Sequence, residues 1–392
     1  MPDFRCLKEK GRIFLDHNAT TPLAQCVMDK LLEWAKVWGN PSSIHQTGRA
    51  PKALLREARN AVGDFIGSHP LEVAFTSGGS ESNNWALKGG YWTQKAKDPR
   101  RQEVIVSAVE HPSVMKAAKF LEDQGAKIIK VPVSREGVMD LDFYESALNE
   151  KTALVSIMYA NNETGHIFPI PSMVKKAHEV GALFHCDGVQ ALGKVTVNVQ
   201  SWGVDMASFS AHKCYSLKGC GVLYIRKGLV VESLIHGGGQ ERRRRAGTEN
   251  TLGIASFGEV AKNYKDQVSS FYEKVLALRK RLEEGLKEFV DGVEIIGENQ
   301  KRVPNTVGVI LPSGVYGESV LMNLDIEGFS VSTGSACSSG SSEPSATLTA
   351  MGFSRQEAER SLRISLGWGS TEEDIQEFII ALAKIIRRLK SL

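Results

Sequence analysis

Cysteine is scarce in this chain. There are six, Cys6, Cys26, Cys186, Cys214, Cys220 and Cys337, among 392 residues. No two stand as C-x-x-C, which argues against a zinc or dithiol redox motif, and six are too sparse for a disulfide scaffold of this size. A cytoplasmic protein with reduced thiols is expected. No apolar run approaches the length of a membrane span. The first residues, Met1-Pro-Asp-Phe-Arg-Cys-Leu-Lys8, are charged and carry no apolar h-region, so no secretory signal is expected. A net charge of only +3 gives no case for a general polyanion partner. Neither a dinucleotide fingerprint nor a Walker loop is present, and there is no internal repeat. What remains is ordinary globular composition, 42% apolar and 24% charged. The length suits about two domains with a sizeable core.

Apolar runs and turn residues alternate along most of the chain. Strands are expected at Glu72–Thr76, Val104–Ser107, Lys127–Val133, Ala153–Tyr159, Ala182–Asp187, Asp205–Ser210 and Val222–Ile225. Helices are expected at Val27–Trp38, Pro51–Ile66, from the Ser77 turn through Lys88, Ser113–Gln124 and Ser172–Val180. Strands that alternate with helices, several apolar on both faces, predict an α/β layer with a mainly parallel sheet. Further on, 251–290 reads as one long helical region. Val293–Ile296, Val307–Leu311 and Leu362–Leu366 read as strands, and Glu318–Ile326 and Glu372–Leu389 as helices.

In such sheets ligands sit beyond the C-terminal ends of the strands. His111, Asn162, Asp187 and Lys213 all follow predicted strands at that kind of end. Each has a plain structural reading: a surface lysine, an Asp that caps a turn, a His that is merely hydrogen-bonded. Together they suit one ligand with a ring nitrogen, a hydroxyl and a phosphate, which is pyridoxal phosphate. Lys213 would hold the aldehyde as a Schiff base and Asp187 would pair with the ring nitrogen. His111 would lie on the ring face, and Asn162 and Gln190 would reach the ring hydroxyl. The turn Ser77-Gly-Gly-Ser80, between a strand and a helix, would cradle the phosphate at the helix N-terminus.

Cys337 stands apart from the other thiols. Cys186, Cys214 and Cys220 suit the usual role of cysteine as a small core residue. Cys337 lies in Phe329-Ser-Val-Ser-Thr-Gly-Ser-Ala-Cys337-Ser-Ser-Gly-Ser-Ser-Glu-Pro-Ser345, with no apolar periodicity. A long, flexible, accessible loop is expected there, suited to a nucleophile that must also leave the site.

The chain resembles the cysteine desulfurases of the nitrogen-fixation and iron–sulfur-cluster group, within the class V aminotransferase superfamily. The matching stretches include Leu15-Asp-His-Asn-Ala-Thr-Thr-Pro22, Gly39-Asn-Pro-Ser-Ser-Ile-His45, Phe75-Thr-Ser-Gly-Gly-Ser-Glu-Ser-Asn-Asn84, Asn161-Asn-Glu-Thr-Gly165, His185-Cys-Asp-Gly-Val-Gln190, Ser210-Ala-His-Lys213, Arg245-Ala-Gly-Thr-Glu-Asn250, Gly334-Ser-Ala-Cys337 and Leu362-Arg-Ile-Ser365. The resemblance implies a pyridoxal phosphate-dependent transferase of fold type I, with a large cofactor domain over 13–260. A smaller α+β domain, 1–12 and 261–392, would carry the Cys337 loop. It implies a homodimer in which Thr248 reaches the phosphate of the other subunit. Gly79, Ser80, Ser210 and His212 join the cofactor residues, and Arg363 with Asn162 takes the substrate carboxylate. Two departures stand out: Arg243, where relatives often have glycine, and Ala346, where they often have a bulkier residue.

The implied reaction converts L-cysteine to L-alanine and leaves the sulfur on Cys337 as a persulfide, for delivery to an acceptor such as an iron–sulfur scaffold. Lys213 would move the Cα proton and His111 a proton near the substrate thiol. Cys337, Lys213 and His111 are thus the catalytic candidates, with no metal. A selenocysteine lyase could share these residues, and an ordinary class V aminotransferase would not need Cys337. A nucleic-acid or scaffold-binding module built on Arg242–Arg245 would leave the strand-end residues unexplained.

Overall fold

Seven strands form the central sheet, in the spatial order Val73–Thr76, Gly221–Ile225, Met206–Ser210, Leu183–Asp187, Thr152–Met158, Glu103–Ser107 and Lys127–Val131. Six run parallel and only Gly221–Ile225 is reversed. The computed structural model describes residues 5–7, 11–334 and 343–391.

The sheet is apolar on both faces because helices cover both. Alternation along each strand sorts side chains into two cores. Val104, Val106, Leu154, Met206, Leu223 and Ile225 pack with Trp85 and Tyr91 of the helix Gly79–Lys97. Ile105, Val155, Ile157, Phe184, Phe209, Val222 and Tyr224 face the larger core on the other side. Helix Gln46–Ile66 lies against Thr251–Tyr264. The two come so close at Gly258 that a Cβ there would meet the Ala58 Cα at 2.4 Å.

A second, antiparallel sheet is built from Ser361–Ser365, Thr306–Ile310 and Glu294–Ile295, in that order. Helix Val268–Phe289 packs beside it, and Glu372–Lys390 packs on that helix. The latter opens with a Thr371/Asp374 capping box, carries Glu372–Asp374 in its first turn and Arg387, Arg388 and Lys390 in its last, all favourable to its dipole. The N-terminal pair Ile13–Phe14 runs parallel to Phe329–Ser330, and Asp16 bridges Ser365. This threads residues 13–18 between the small sheet and the C-terminal edge of the large one.

The expected α/β architecture with a mainly parallel sheet is present. Local boundaries differ. The 251–290 region is two helices, separated by a 3-10 turn at Lys265–Gln267. Helix Gln46–Ile66 starts five residues before Pro51, and Gly79–Lys97 runs nine residues past Lys88. Leu141–Ala147 is an additional short helix capped by Asp140. Among the described residues, no helix is long and apolar enough to cross a membrane.

Candidate active site

The parallel strands deliver their polar residues to one edge. Asp187 ends its strand. Ser210 ends the next, and the 3-10 turn Ala211–Lys213 follows at once. His111 caps helix Pro112–Asp123 just beyond Glu103–Ser107. Gly79 and Ser80 start the helix after Val73–Thr76. Opposite them, strand Ser361–Ser365 of the small sheet presents Arg363. A cavity of about 260 Å³ lies between, lined by Gly79, Ser80, His111, Asn162, Asp187, Gln190, Ser210, His212, Lys213 and Arg363 among others. Ten residues singled out from the sequence therefore meet in one place.

Asp187 is only 5% exposed. Its Oδ1 accepts from the Val189 N–H at 3.0 Å and its Oδ2 from Asn83 Nδ2 at 2.7 Å. Each oxygen keeps a lone pair for a cationic donor. His111 Nδ1 accepts from the Ser113 N–H at 3.1 Å, so the neutral ring carries its proton on Nε2. Burial lowers its pKa, Lys213 lowers it further, and Asp187 opposes both. His212 is likewise held neutral, its pKa brought down to about 4 by burial and by the cations Lys213 and Lys218. Its Nδ1 lies 3.1 Å from Thr20 Oγ1.

The Lys213 amine donates to the carbonyls of Asn18 and Ala19, the latter at 2.7 Å. Asn18 is a hub that the sequence did not single out. Its carbonyl also accepts from Gln190 Nε2 at 3.1 Å, and its Nδ2 donates to the Asn162 carbonyl at 3.0 Å and Thr306 Oγ1 at 2.8 Å. Its Oδ1 accepts from Asn305 Nδ2 at 3.1 Å and from Lys194 Nζ at 2.6 Å. Lys194, 3% exposed, also bonds Gln190 Oε1. Burial beside Lys213 and Arg363 drives its pKa well below the usual lysine value. Nothing in the sequence marked it. Asn18 had one signal, its place in the turn Asp16–Pro22.

Arg363 is 4% exposed. Its Nη2 bonds Asp16 Oδ1 at 2.7 Å and its Nη1 the Asn162 carbonyl at 3.2 Å, while its Nε has no partner among the described residues. A buried guanidinium with an unused donor suits a carboxylate ligand. At the other end no side chain caps helix Gly79–Lys97, so its first N–H groups are left for an anion. The acid in that turn, Glu81, is neutralised by Arg245, with contacts of 2.8 and 3.0 Å.

One predicted residue is not in this cavity: Thr248 lines a separate hollow with Thr76, Ser77 and Arg245. Cys337 lies outside the described residues. The five described cysteines do not line the cavity. Cys186, Cys214 and Cys220 are sealed in the core, and burial pushes all three thiols up.

The aminotransferase class-V family profile matches residues 13–378. The cysteine desulfurase IscS of Dictyoglomus turgidum is 42% identical over 384 residues, covering 98% of this chain and 96% of that protein. A cysteine desulfurase of Sinorhizobium fredii is 42% identical over 381 residues, 96% of this chain and 97% of its own length. Among solved structures, a NifS-like protein superimposes with a TM-score of 0.88 at 35% identity, covering 97% of this chain and 100% of that one. SspA in complex with cysteine superimposes with a TM-score of 0.80 at 30% identity, covering 91% and 99%. The chain belongs to the aminotransferase class-V family and, within it, to the cysteine desulfurases. The resemblance carried by its motifs is borne out, and the family implies pyridoxal phosphate chemistry.

Proposed function

We propose that the protein uses pyridoxal 5'-phosphate to convert L-cysteine to L-alanine, with the sulfur passed to Cys337. One observation carries this most directly: Asp187, His111 and Lys213, from three strand ends, share a cavity with the partly unpaired Arg363 of the other sheet. The open lone pairs of Asp187, the uncapped helix at Gly79 and the lysine amine suit the nitrogen, phosphate and aldehyde of that cofactor. When bound, it supplies an electron sink for carbon–sulfur cleavage.

The chain's own groups do the rest. Arg363 grips the substrate carboxylate and so fixes which face the Cα–H presents. Lys213, in reach of the Asn18 and Ala19 carbonyls, moves the Cα proton. Neutral His111, with its Nε2 proton, exchanges a proton near the substrate thiol. The Cys337 thiolate attacks the substrate sulfur, a sulfur–sulfur bond forms and the Cβ–S bond breaks. Protonation of the carbon fragment gives alanine, so cysteine and a thiol become alanine and a persulfide with atoms balanced.

A homodimer, with Thr248 serving the cavity of the neighbouring copy, agrees with its position off its own. The proposed large domain is 13–260 and the small one 1–12 and 261–392; the packing of helix Thr251–Tyr264 on Gln46–Ile66 and of Val268–Phe289 on Glu372–Lys390 supports two units, with the boundary falling inside the first of these helices. The proposed setting is the cytoplasm and the proposed acceptor a protein such as an iron–sulfur scaffold. Alanine and sulfide release from L-cysteine, with a thiol reductant present, tests the reading. The parent makes both in equal amounts and Cys337→Ala makes neither. Equal production by both proteins would remove Cys337 from the reaction.

A further inference from the structure

Glu163 follows Asn162 in the turn after Thr152–Met158, and none of the chemistry above uses it. Its backbone is fixed locally: Asn161 Oδ1 accepts from the Glu163 N–H at 2.8 Å and the Thr164 N–H at 3.0 Å, while Asn161 Nδ2 donates to the Val109 carbonyl at 3.1 Å. The side chain leaves this rigid turn for a distant part of the chain. Its Oε2 accepts from Ser345 Oγ, and its Oε1 accepts from Thr347 Oγ1 at 2.8 Å. Gly334 abuts the same carboxylate. A Cβ on Gly334 would lie 2.5 Å from Glu163 Oε2 and 2.8 Å from Ser345 Cβ, so a larger residue there would displace the carboxylate or the serine. Ser345 in turn caps the helix Ala346–Ala350 through the Leu348 N–H at 3.1 Å. One carboxylate thus meets both ends of the ten-residue span 335–344, which contains Cys337. The neighbouring Asn162 carbonyl accepts from Arg363, so anchor and substrate grip share a single turn.

We propose that Glu163 is a positioning residue for sulfur transfer: it clamps Ser345, Thr347 and Gly334 together at the strand-end turn and so sets the point from which Cys337 reaches the cavity. This rests on the assignment of Cys337 as sulfur acceptor. A misplaced base for the span changes the encounter of thiolate and substrate sulfur, whereas the contacts to cofactor and substrate in the cavity stay as they are. A displacement of about 1 Å at a reacting group costs on the order of 100-fold in rate.

The test is a single-turnover experiment on the holoenzyme, freed of reductant, mixed with L-cysteine and quenched with an alkylating agent. Intact-protein mass follows persulfide on Cys337, and cofactor absorbance follows substrate binding in the same mixing. Glu163→Ala is expected to slow persulfide formation roughly 10- to 100-fold. Cofactor occupancy and the substrate-induced absorbance change should match the parent. Glu163→Gln should restore most of the rate, because its amide oxygen accepts from one hydroxyl while its amide N–H donates to the other. A parent-like rate in Glu163→Ala, or a loss of rate matched by lost cofactor and lost thermal stability, would overturn the clamp. Should Glu163→Ala not fold, Thr347→Val removes one of the two bonds and must also slow the step; an unchanged rate there overturns the proposal equally. Absence of persulfide on Cys337 in the parent instead sinks the sulfur-acceptor reading, and the clamp with it.

Discussion

Arg363 Nη2 lies 2.7 Å from Asp16 Oδ1, and this contact ties the small sheet to the N-terminal turn that holds the Lys213 amine. Asp16 thereby aims a guanidinium whose Nε has no partner among the described residues. Arg363→Lys keeps the charge but loses the fork. The KM for L-cysteine should rise roughly 10- to 100-fold, equivalent to about 1.5–3 kcal/mol for a lost charge-assisted hydrogen bond. Cofactor absorbance should not change. Steady-state kinetics beside the spectrum decide it, and an unchanged KM would place the substrate carboxylate elsewhere.

The departure at Arg243 has a backbone cost. Glu241, Arg242 and Arg243 have φ of 45°, 59° and 63°, three successive residues in the left-handed region. Such a conformation costs a non-glycine residue about 1–2 kcal/mol. The Arg243 side chain is exposed, so glycine there gives up little. Arg243→Gly should stabilise the fold by up to about 1 kcal/mol after the entropy that glycine loses on folding, seen as a higher denaturation midpoint. A lower midpoint would mean that the arginine side chain has a role in stability that outweighs the strain.

What holds that strained run in place is a buried ion pair. Arg59 reaches Glu241 with two nitrogens, at 2.6 and 2.7 Å, and Glu241 also accepts from the Phe75 N–H at 2.9 Å. Side-chain exposures of 11% and 2% leave little water to replace either partner. Glu241→Ala should destabilise by on the order of 3–5 kcal/mol, since it leaves Arg59 buried and uncompensated. A loss below about 1 kcal/mol in chemical denaturation, the range of exposed pairs, would contradict this.

Much of the site was legible because its residues sit where a parallel sheet puts ligands. Asp187, His111 and Lys213 follow apolar runs directly, and the runs are recognisable because both sheet faces are covered. The hub was not legible. Asn18 reaches Gln190 and Lys194 across more than 170 positions, and polar residues in a turn leave no periodic trace. Helix Gly79–Lys97 runs past its expected end at Lys88 through Gly89-Gly90, a pair that disfavours helix. Those glycines serve packing instead: a Cβ on Gly89 would meet the Glu232 carbonyl at 2.3 Å, and one on Gly90 the Met206 Cε at 2.9 Å. The break at Lys265 had no glycine or proline to announce it. Thr248 came from resemblance alone, whereas Cys337 was marked by its Ser- and Gly-rich surroundings, which set it apart from the core thiols.

Buried titratable groups predict that stability falls as the pH drops below about 6.5. Burial lowers His17, His166 and His212 to about 4 and His185 to about 3. Arg302 adds to the effect at His166, while Lys194 adds to it at His17 against a hydrogen bond to the Ser365 carbonyl. Between pH 6.5 and 4 the unfolded chain binds protons on these rings and the folded chain does not, so stability falls as pH drops through that window. Glu110 acts in the opposite sense. Burial pushes its carboxyl up to about 8, with Asp187 adding repulsion and hydrogen bonds from Ser107 Oγ and the Met158 N–H opposing. Between about 4.5 and 8 the folded state holds a proton that the unfolded state releases, so this group's contribution falls as pH rises. Four rings outweigh one carboxyl below pH 6.5; above it Glu110 is opposed by buried Lys194, whose lowered pKa makes the unfolded chain the one that binds the extra proton. Thermal unfolding midpoints should therefore rise from pH 4.5 to about 6.5. Glu110→Gln, which cannot ionise, should make them rise more steeply with pH than in the parent. An unchanged pH dependence in Glu110→Gln would mean that Glu110 is not a group that opposes the rings.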